Sequence, residues 1–283
     1  MNRPGREERL AVLEVLSNRT VPTKVLPYPA GRGSITVNAG LCRFAPSPVC
    51  GGNMRAVALI ALWAALFLAG HFILSADPVR GAIAGAVGEQ PFRGIYSLVA
   101  LGTFIPLIVV FGHHKHAGPM LWNLRPIAPV RWLVWLMMLV AVIMWVASLI
   151  TPNPAAIGGS ENLTPRGILK LTRHPGFVAF TIFGFAHMLM NGWAGDLVFF
   201  GTFPVLGIFG GLHQDHRKLR AMGERYRRFV GQTSFIPGAA LLSGRQQWNP
   251  AEDMPWLAIA IGVVLTFVLV TIHPWAFGGH PLG

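Results

Sequence analysis

From Met54 onward the chain alternates between long apolar runs and shorter polar stretches rich in Arg, Lys, Pro and Gly. The runs are Met54 to Leu74, Gly94 to Gly112, Trp132 to Ile150, Phe177 to Asn191, Leu197 to Leu212 and Trp256 to His273. At a rise of roughly 1.5 Å per residue, about 20 apolar residues cross a hydrocarbon layer of about 30 Å. The pattern predicts an all-α integral membrane bundle of about six transmembrane helices. The fourth and fifth runs are joined by about five residues, so they pack as antiparallel neighbours. Pro106 lies inside the second run, where a bundle tolerates a kink.

Composition agrees with this reading. Of 283 residues, 53% are hydrophobic and 12% charged, and the mean hydropathy is +0.51, which excludes a soluble domain of this size. The formal charge of +12 would point to nucleic acid in a soluble protein. Here the bases fall between apolar runs and read as charge on the cytoplasmic side of a membrane. Arg217, Lys218, Arg220, Arg225, Arg227, Arg228 and Arg245 follow the fifth run, whereas no base follows His273. The loop after the fifth run is therefore expected in the cytoplasm and the C-terminus outside. Lys115, Arg125 and Arg131, on the predicted outer side, run against that count.

Residues 1–53 carry Pro-Tyr-Pro and Pro-Ser-Pro and no sustained apolar period, so they are expected to be disordered or non-native, with translation starting at Met54. Leu219, Met222, Tyr226 and Phe229 recur at helical spacing among arginines, which predicts a helix lying on the anionic inner leaflet. Residues 54–246 then form the main membrane domain, and 247–283 add a further C-terminal transmembrane helix.

Histidines carry the candidate chemistry. An ionisable side chain inside a span is costly and marks a functional site by default. His71 and His187 qualify, each beside a small residue, Gly70 and Ala186. Either they ligate a metal or they hydrogen-bond a neighbouring helix. Cys42 and Cys50 both precede the first apolar run, so a haem in the membrane part would be held without covalent attachment. Arg173-His174-Pro175 reads as a helix entry at the cytoplasmic interface, able to meet a phosphate or a cofactor carboxylate. His113, His114 and His116 cluster in a loop and read as a solvated patch ahead of a metal site.

The segments Thr172-Arg-His-Pro175, Ala186-His187, Leu212-His-Gln-Asp-His-Arg-Lys-Leu219, Gly223-Glu-Arg-Tyr226 and Gln232-Thr-Ser-Phe-Ile-Pro-Gly238 resemble the NnrU family, relatives of the 15-cis-ζ-carotene isomerases. Ala69-Gly-His71 and Gly88-Glu-Gln-Pro-Phe-Arg-Gly-Ile-Tyr96 extend the likeness from Met54 to about Gln246. The resemblance implies haem b between the first and fourth spans, with His71 and His187 as iron ligands and His174, with Arg173, as catalytic residues. It also implies a bacterial inner membrane location and either a polyene substrate or a role in nitrite and nitric oxide metabolism. Gly184 stands where the isomerases have a cysteine. Arg173-His174-Pro175, Gly223-Glu-Arg-Tyr226 and Pro237 also resemble isoprenylcysteine and phospholipid methyltransferases, which bind S-adenosylmethionine. Gln214-Asp215 replaces their glutamate pair and argues against methyl transfer.

Overall fold

The computed structural model describes residues 53–155 and 163–279, which are helical apart from loops and one isolated bridge between Met120 and Trp193. Residues 1–52 lie outside the described part, and with them the expectations for the N-terminal stretch. In chain order the helices are α1 (Met54–Ser75), α2 (Asp77–Val87), α3 (Glu89–His113), α4 (Ala128–Ile150), α5 (Ile168–Leu171), α6 (Pro175–Met190), α7 (Ala194–Met222), α8 (Glu224–Gln232), α9 (Ala239–Leu242), α10 (Pro250–Asp253) and α11 (Trp256–Phe277). Five of them, α1, α3, α4, α7 and α11, are long and apolar enough to cross a membrane. Helix α6 is a shorter apolar helix of 16 residues, about 24 Å at the helical rise, packed on α7 and α4. The protein is a multi-pass membrane protein.

The long helices pack as a row, α3 on α1, α1 on α7, α7 on α6, α6 on α4 and α4 on α11. Helices α6 and α7 are neighbours, as their short connection requires. Their approach depends on residues without side chains. A Cβ on Gly184 would collide with Phe200 O and the Pro204 ring, and one on Gly207 with Thr181 and Phe177 O. Small residues of this kind are how membrane helices gain van der Waals contact where no hydrophobic drive exists between them.

Three features depart from the sequence reading. Helix α2 was not anticipated: Pro78 opens it and Gly88, at φ 89°, stops it. Helix α7 does not end at the membrane edge but runs 29 residues, until Gly223 at φ 57° breaks it. The residues expected to rest on the inner leaflet face inward instead. Tyr226 and Phe229 are 0% and 1% exposed and pack with Ala155, Leu163, Leu219 and Met222, because the turn at Gly223 folds α8 back against the loop before α5.

The two ends of the bundle differ in how they use charge. At the end where α1 and α6 meet the α3–α4 and α6–α7 loops, the bases clamp carbonyl groups. Lys115 Nζ donates to Phe277 O at 2.7 Å, Arg125 Nε to Met190 O at 3.0 Å and Arg131 to Arg125 O at 2.9 Å. This local work accounts for the bases that run against the charge count. The solvated histidine patch expected there is also part structural. His116, in the left-handed region at φ 59°, gives its backbone N–H and Nδ1 to the fully buried Asp196 at 3.0 and 2.6 Å. Among the described residues no group of three His, Cys, Asp or Glu side chains forms a metal site.

Candidate functional site

The Arg173-His174-Pro175 entry folds as the sequence asks, with Pro175 in the first turn of α6 and His174 at its N-cap. Its side chains do not sit at an open mouth. Arg173 and His174 are 8% and 3% exposed and both turn toward Asp215 on α7. Arg173 donates through Nε and Nη2 to Asp215 Oδ2 at 2.9 and 2.6 Å, and His174 Nε2 meets Oδ1 at 2.8 Å. The Tyr226 hydroxyl donates to the same Oδ1 at 2.7 Å. Burial and then the Asp215 charge push the Tyr226 hydroxyl above its ordinary pKa, so it remains a donor. Neighbouring bonds finish the knot: Asn153 Nδ2 donates to Arg173 O, and Gln214 Nε2 to Ala155 O. A carboxylate that takes two donors from one arginine, an imidazole and a phenol joins α6, α7 and α8. Asp215 is thus the residue whose place as the common acceptor of three side chains sequence reasoning missed.

His71 and His187 are arranged differently. Each directs Nδ1 to the carbonyl four residues earlier in its own helix, Phe67 O and Phe183 O, at 2.9 Å in both cases. A carbonyl can only accept, so Nδ1 carries the proton and a neutral ring presents its lone pair on Nε2. Tethering one ring nitrogen to leave the other free is how proteins prepare a histidine to meet a metal or a ligand.

The two rings bracket an aromatic track. His71 lies 4.3 Å from Phe67, Phe67 4.9 Å from Phe104, and Phe104 6.2 Å from Phe203, between ring centres. Phe203 lies 4.9 Å from Phe183, and Phe183 4.2 Å from His187, which also stacks on Phe200 at 4.6 Å. Phe111 stacks on Phe199 at 3.9 Å along the same seam. Four helices, α1, α3, α6 and α7, contribute. The separation decides what the histidines can share. His187 stacks on Phe200, whereas Phe72, next to His71, meets His213 of the same helix. About 13 residues of α7, roughly 20 Å, lie between those two levels. Two axial nitrogens on one iron sit within about 4 Å of each other, at roughly 2 Å per bond. His71 and His187 therefore do not fit the two axial positions of one haem in this arrangement, and α7 packs between the helices that carry them.

Comparison with known proteins places the chain. The family model described as NnrU protein matches residues 59–281. The chain belongs to the NnrU family. The match runs past Gln246, where the residue-by-residue likeness stopped, and takes in α11. Among curated proteins this NnrU chain is similar to the chloroplastic 15-cis-zeta-carotene isomerase of Arabidopsis thaliana, 28% identical over 200 residues, covering 66% of this chain and 52% of the relative. The isomerase of Zea mays is 28% identical over 198 residues with the same coverage. The chain thus spans about half the length of the curated relatives it matches. No solved structure matches it. The glycine at position 184 has a structural reason in this NnrU protein: its Cβ position is taken by Phe200 O and Pro204.

Proposed function

We propose that this NnrU-family protein is an isomerase-like enzyme of the bacterial inner membrane that binds an apolar polyene along the aromatic track between His71 and His187. The observation that carries the reading is the track itself. Its rings run between two histidines whose Nε2 atoms are free of protein partners. A conjugated chain stacks on aromatic faces and needs no polar anchor along its length, and the similarity to 15-cis-zeta-carotene isomerases supplies the substrate class. Cis-trans isomerisation leaves the atom and electron count of the polyene unchanged. The site's part is to hold the chain, exclude water and present a lone pair at each end. The nitrogen-oxide role draws on no feature of this arrangement, since so small a molecule has no use for an elongated track.

The residues implied by the resemblance exchange roles in this reading. His71 and His187, implied as iron ligands, touch the substrate, whereas His174 and Arg173, implied as catalytic, are positioning residues that fix the start of α6 through Asp215. Haem b is the cofactor implied by the resemblance. A haem held by either histidine alone would have one protein ligand, so titration of the purified protein with haem b is expected to give a high-spin spectrum. A low-spin bis-histidine spectrum would contradict the separation of the two rings. The basic end, with Arg166, Lys170, Arg217, Lys218 and Arg225, faces the cytoplasm by the same charge rule. The function is tested by reconstituting the protein in lipid with a 15-cis polyene and following the cis and trans isomers by chromatography. Conversion is expected with the wild type, and none above the protein-free rate would refute the proposal.

A further inference from the structure

Among the described residues, two buried side-chain polar atoms lack a hydrogen-bond partner, Arg80 Nε and His213 Nε2. Both belong to the basic end of the bundle, on α2 and α7. Arg80 lies over the Phe92 ring at 5.3 Å and pairs with Glu89 through Nη2, which leaves Nε without an acceptor. The His213 ring meets Phe72 edge-on at 6.4 Å. Arg217 follows His213 by one helical turn on the same face of α7, and it lies within electrostatic reach of Arg80, Asp77 and Glu89. Lys218 lies within reach of Arg217, Arg80 and Arg93. Helices α2, α3 and α7 thus bring their bases to one place.

The acids there do not balance them. Glu89 is taken by Arg80 and Asp77 by Arg220, at 3.2 Å. Arg93, Arg217 and Lys218 have no carboxylate or hydrogen-bond partner among the described residues. A buried donor left unmade is destabilising, and native proteins keep few of them. The contrast with α8 shows that this is more than ordinary cytoplasmic charge. Arg225, Arg227 and Arg228 stand exposed to solvent, and Arg227 lies beside Glu224. At the junction of α2, α3 and α7 the bases are instead half-buried against Phe72, Phe92 and Tyr96, apart from the exposed Arg93.

We propose that Arg80, Arg93, His213, Arg217 and Lys218 form a binding site for a phosphate group at the basic end of the bundle. A phosphate offers several acceptor oxygens around one centre, which suits converging guanidinium forks and supplies the missing acceptors for Arg80 Nε and His213 Nε2. The group comes either from an anionic phospholipid, with its chains along the apolar wall, or from a soluble phosphate compound. The site is independent of the polyene reading.

The test uses the full chain in neutral detergent and follows thermal unfolding and binding with two probes, inorganic phosphate and micelles doped with phosphatidylglycerol, against phosphatidylcholine as control. The expected result is a rise in melting temperature of several degrees with one of the probes and not with phosphatidylcholine. Arg217→Gln, which removes no bond seen in the fold, weakens that binding about tenfold, and Arg80→Gln weakens it likewise. A response to inorganic phosphate assigns a soluble ligand, whereas a response to phosphatidylglycerol alone assigns the lipid. No response to either probe overturns the site. So does an equal loss of binding in Arg225→Gln/Arg228→Gln, because the effect would then belong to surface charge in general.

Discussion

The polar cluster around Asp215 and the pair of histidines along the aromatic track are both sets of ionisable groups in an apolar bundle, yet they are finished differently. At Asp215 the side chains bind one another: Arg173, His174 and Tyr226 all direct donors to one carboxylate. At His71 and His187 only one ring nitrogen is spent, on the helix's own backbone, and the other is left over. The first arrangement holds three helices together. The second holds nothing that the helices could not hold without it. A buried group with all its partners reads as architecture, and one with a partner withheld reads as a place for something else to bind.

The comparison is broken most severely by Asp215→Ala. That change strands a buried guanidinium, an imidazole and a hydroxyl, and is expected to cost about 3–5 kcal/mol, measured by denaturant unfolding in mild detergent. Native stability in this variant would show that the cluster is not architectural. Next comes Gly184→Cys, at the position where the resemblance implies a cysteine in the isomerases. Its Cβ meets Phe200 O and Pro204, so α6 and α7 must part, at an expected cost of about 1–3 kcal/mol. An unchanged melting temperature would mean that the two helices separate freely at this point.

Much of this architecture could be read from the chain. The apolar runs locate the five helices long and apolar enough to cross a membrane and the shorter apolar α6, and Arg173-His174-Pro175 marks the start of α6 correctly. The closure of the site could not be read, because it depends on which groups meet. Asp215 lies 42 residues from Arg173, and no local signal says that one carboxylate will absorb three donors. Likewise the four residues at helical spacing, Leu219 to Phe229, gave the right period and the wrong partner. A basic amphipathic stretch looks the same from sequence whether its apolar side meets lipid or the protein's own loop. Helix α2 did carry a signal, Asp77-Pro78 at its start and Gly88 at its end, but at 11 residues it is too short to count as a span.

The smallest expected effect is acidic. Asp253 is buried, receives Lys170 Nζ at 2.7 Å and the backbone N–H of Gly167 and Asn249, and ties α10 to the start of α5. Burial alone would raise its pKa, but these donors outweigh it and hold the carboxyl below the usual value. Its contribution is therefore complete above the ordinary carboxylate range near pH 4 and is lost as the pH falls below it toward the folded value. A loss of about 1 kcal/mol is expected over that window, and Asp253→Asn should remove this part of the acid dependence. An identical acid profile in that variant would release α10 from this role.

The sharpest test sets the two regions side by side in one assay. His71→Ala and His187→Ala each delete a ring whose one hydrogen bond goes to its own helix backbone, and each is expected to lower stability by no more than about 0.6–2 kcal/mol while abolishing polyene isomerisation in reconstituted membranes. Turnover at the wild-type rate in both variants, with the protein folded, would contradict the claim that the free histidine nitrogens along the aromatic track are the working groups of this protein.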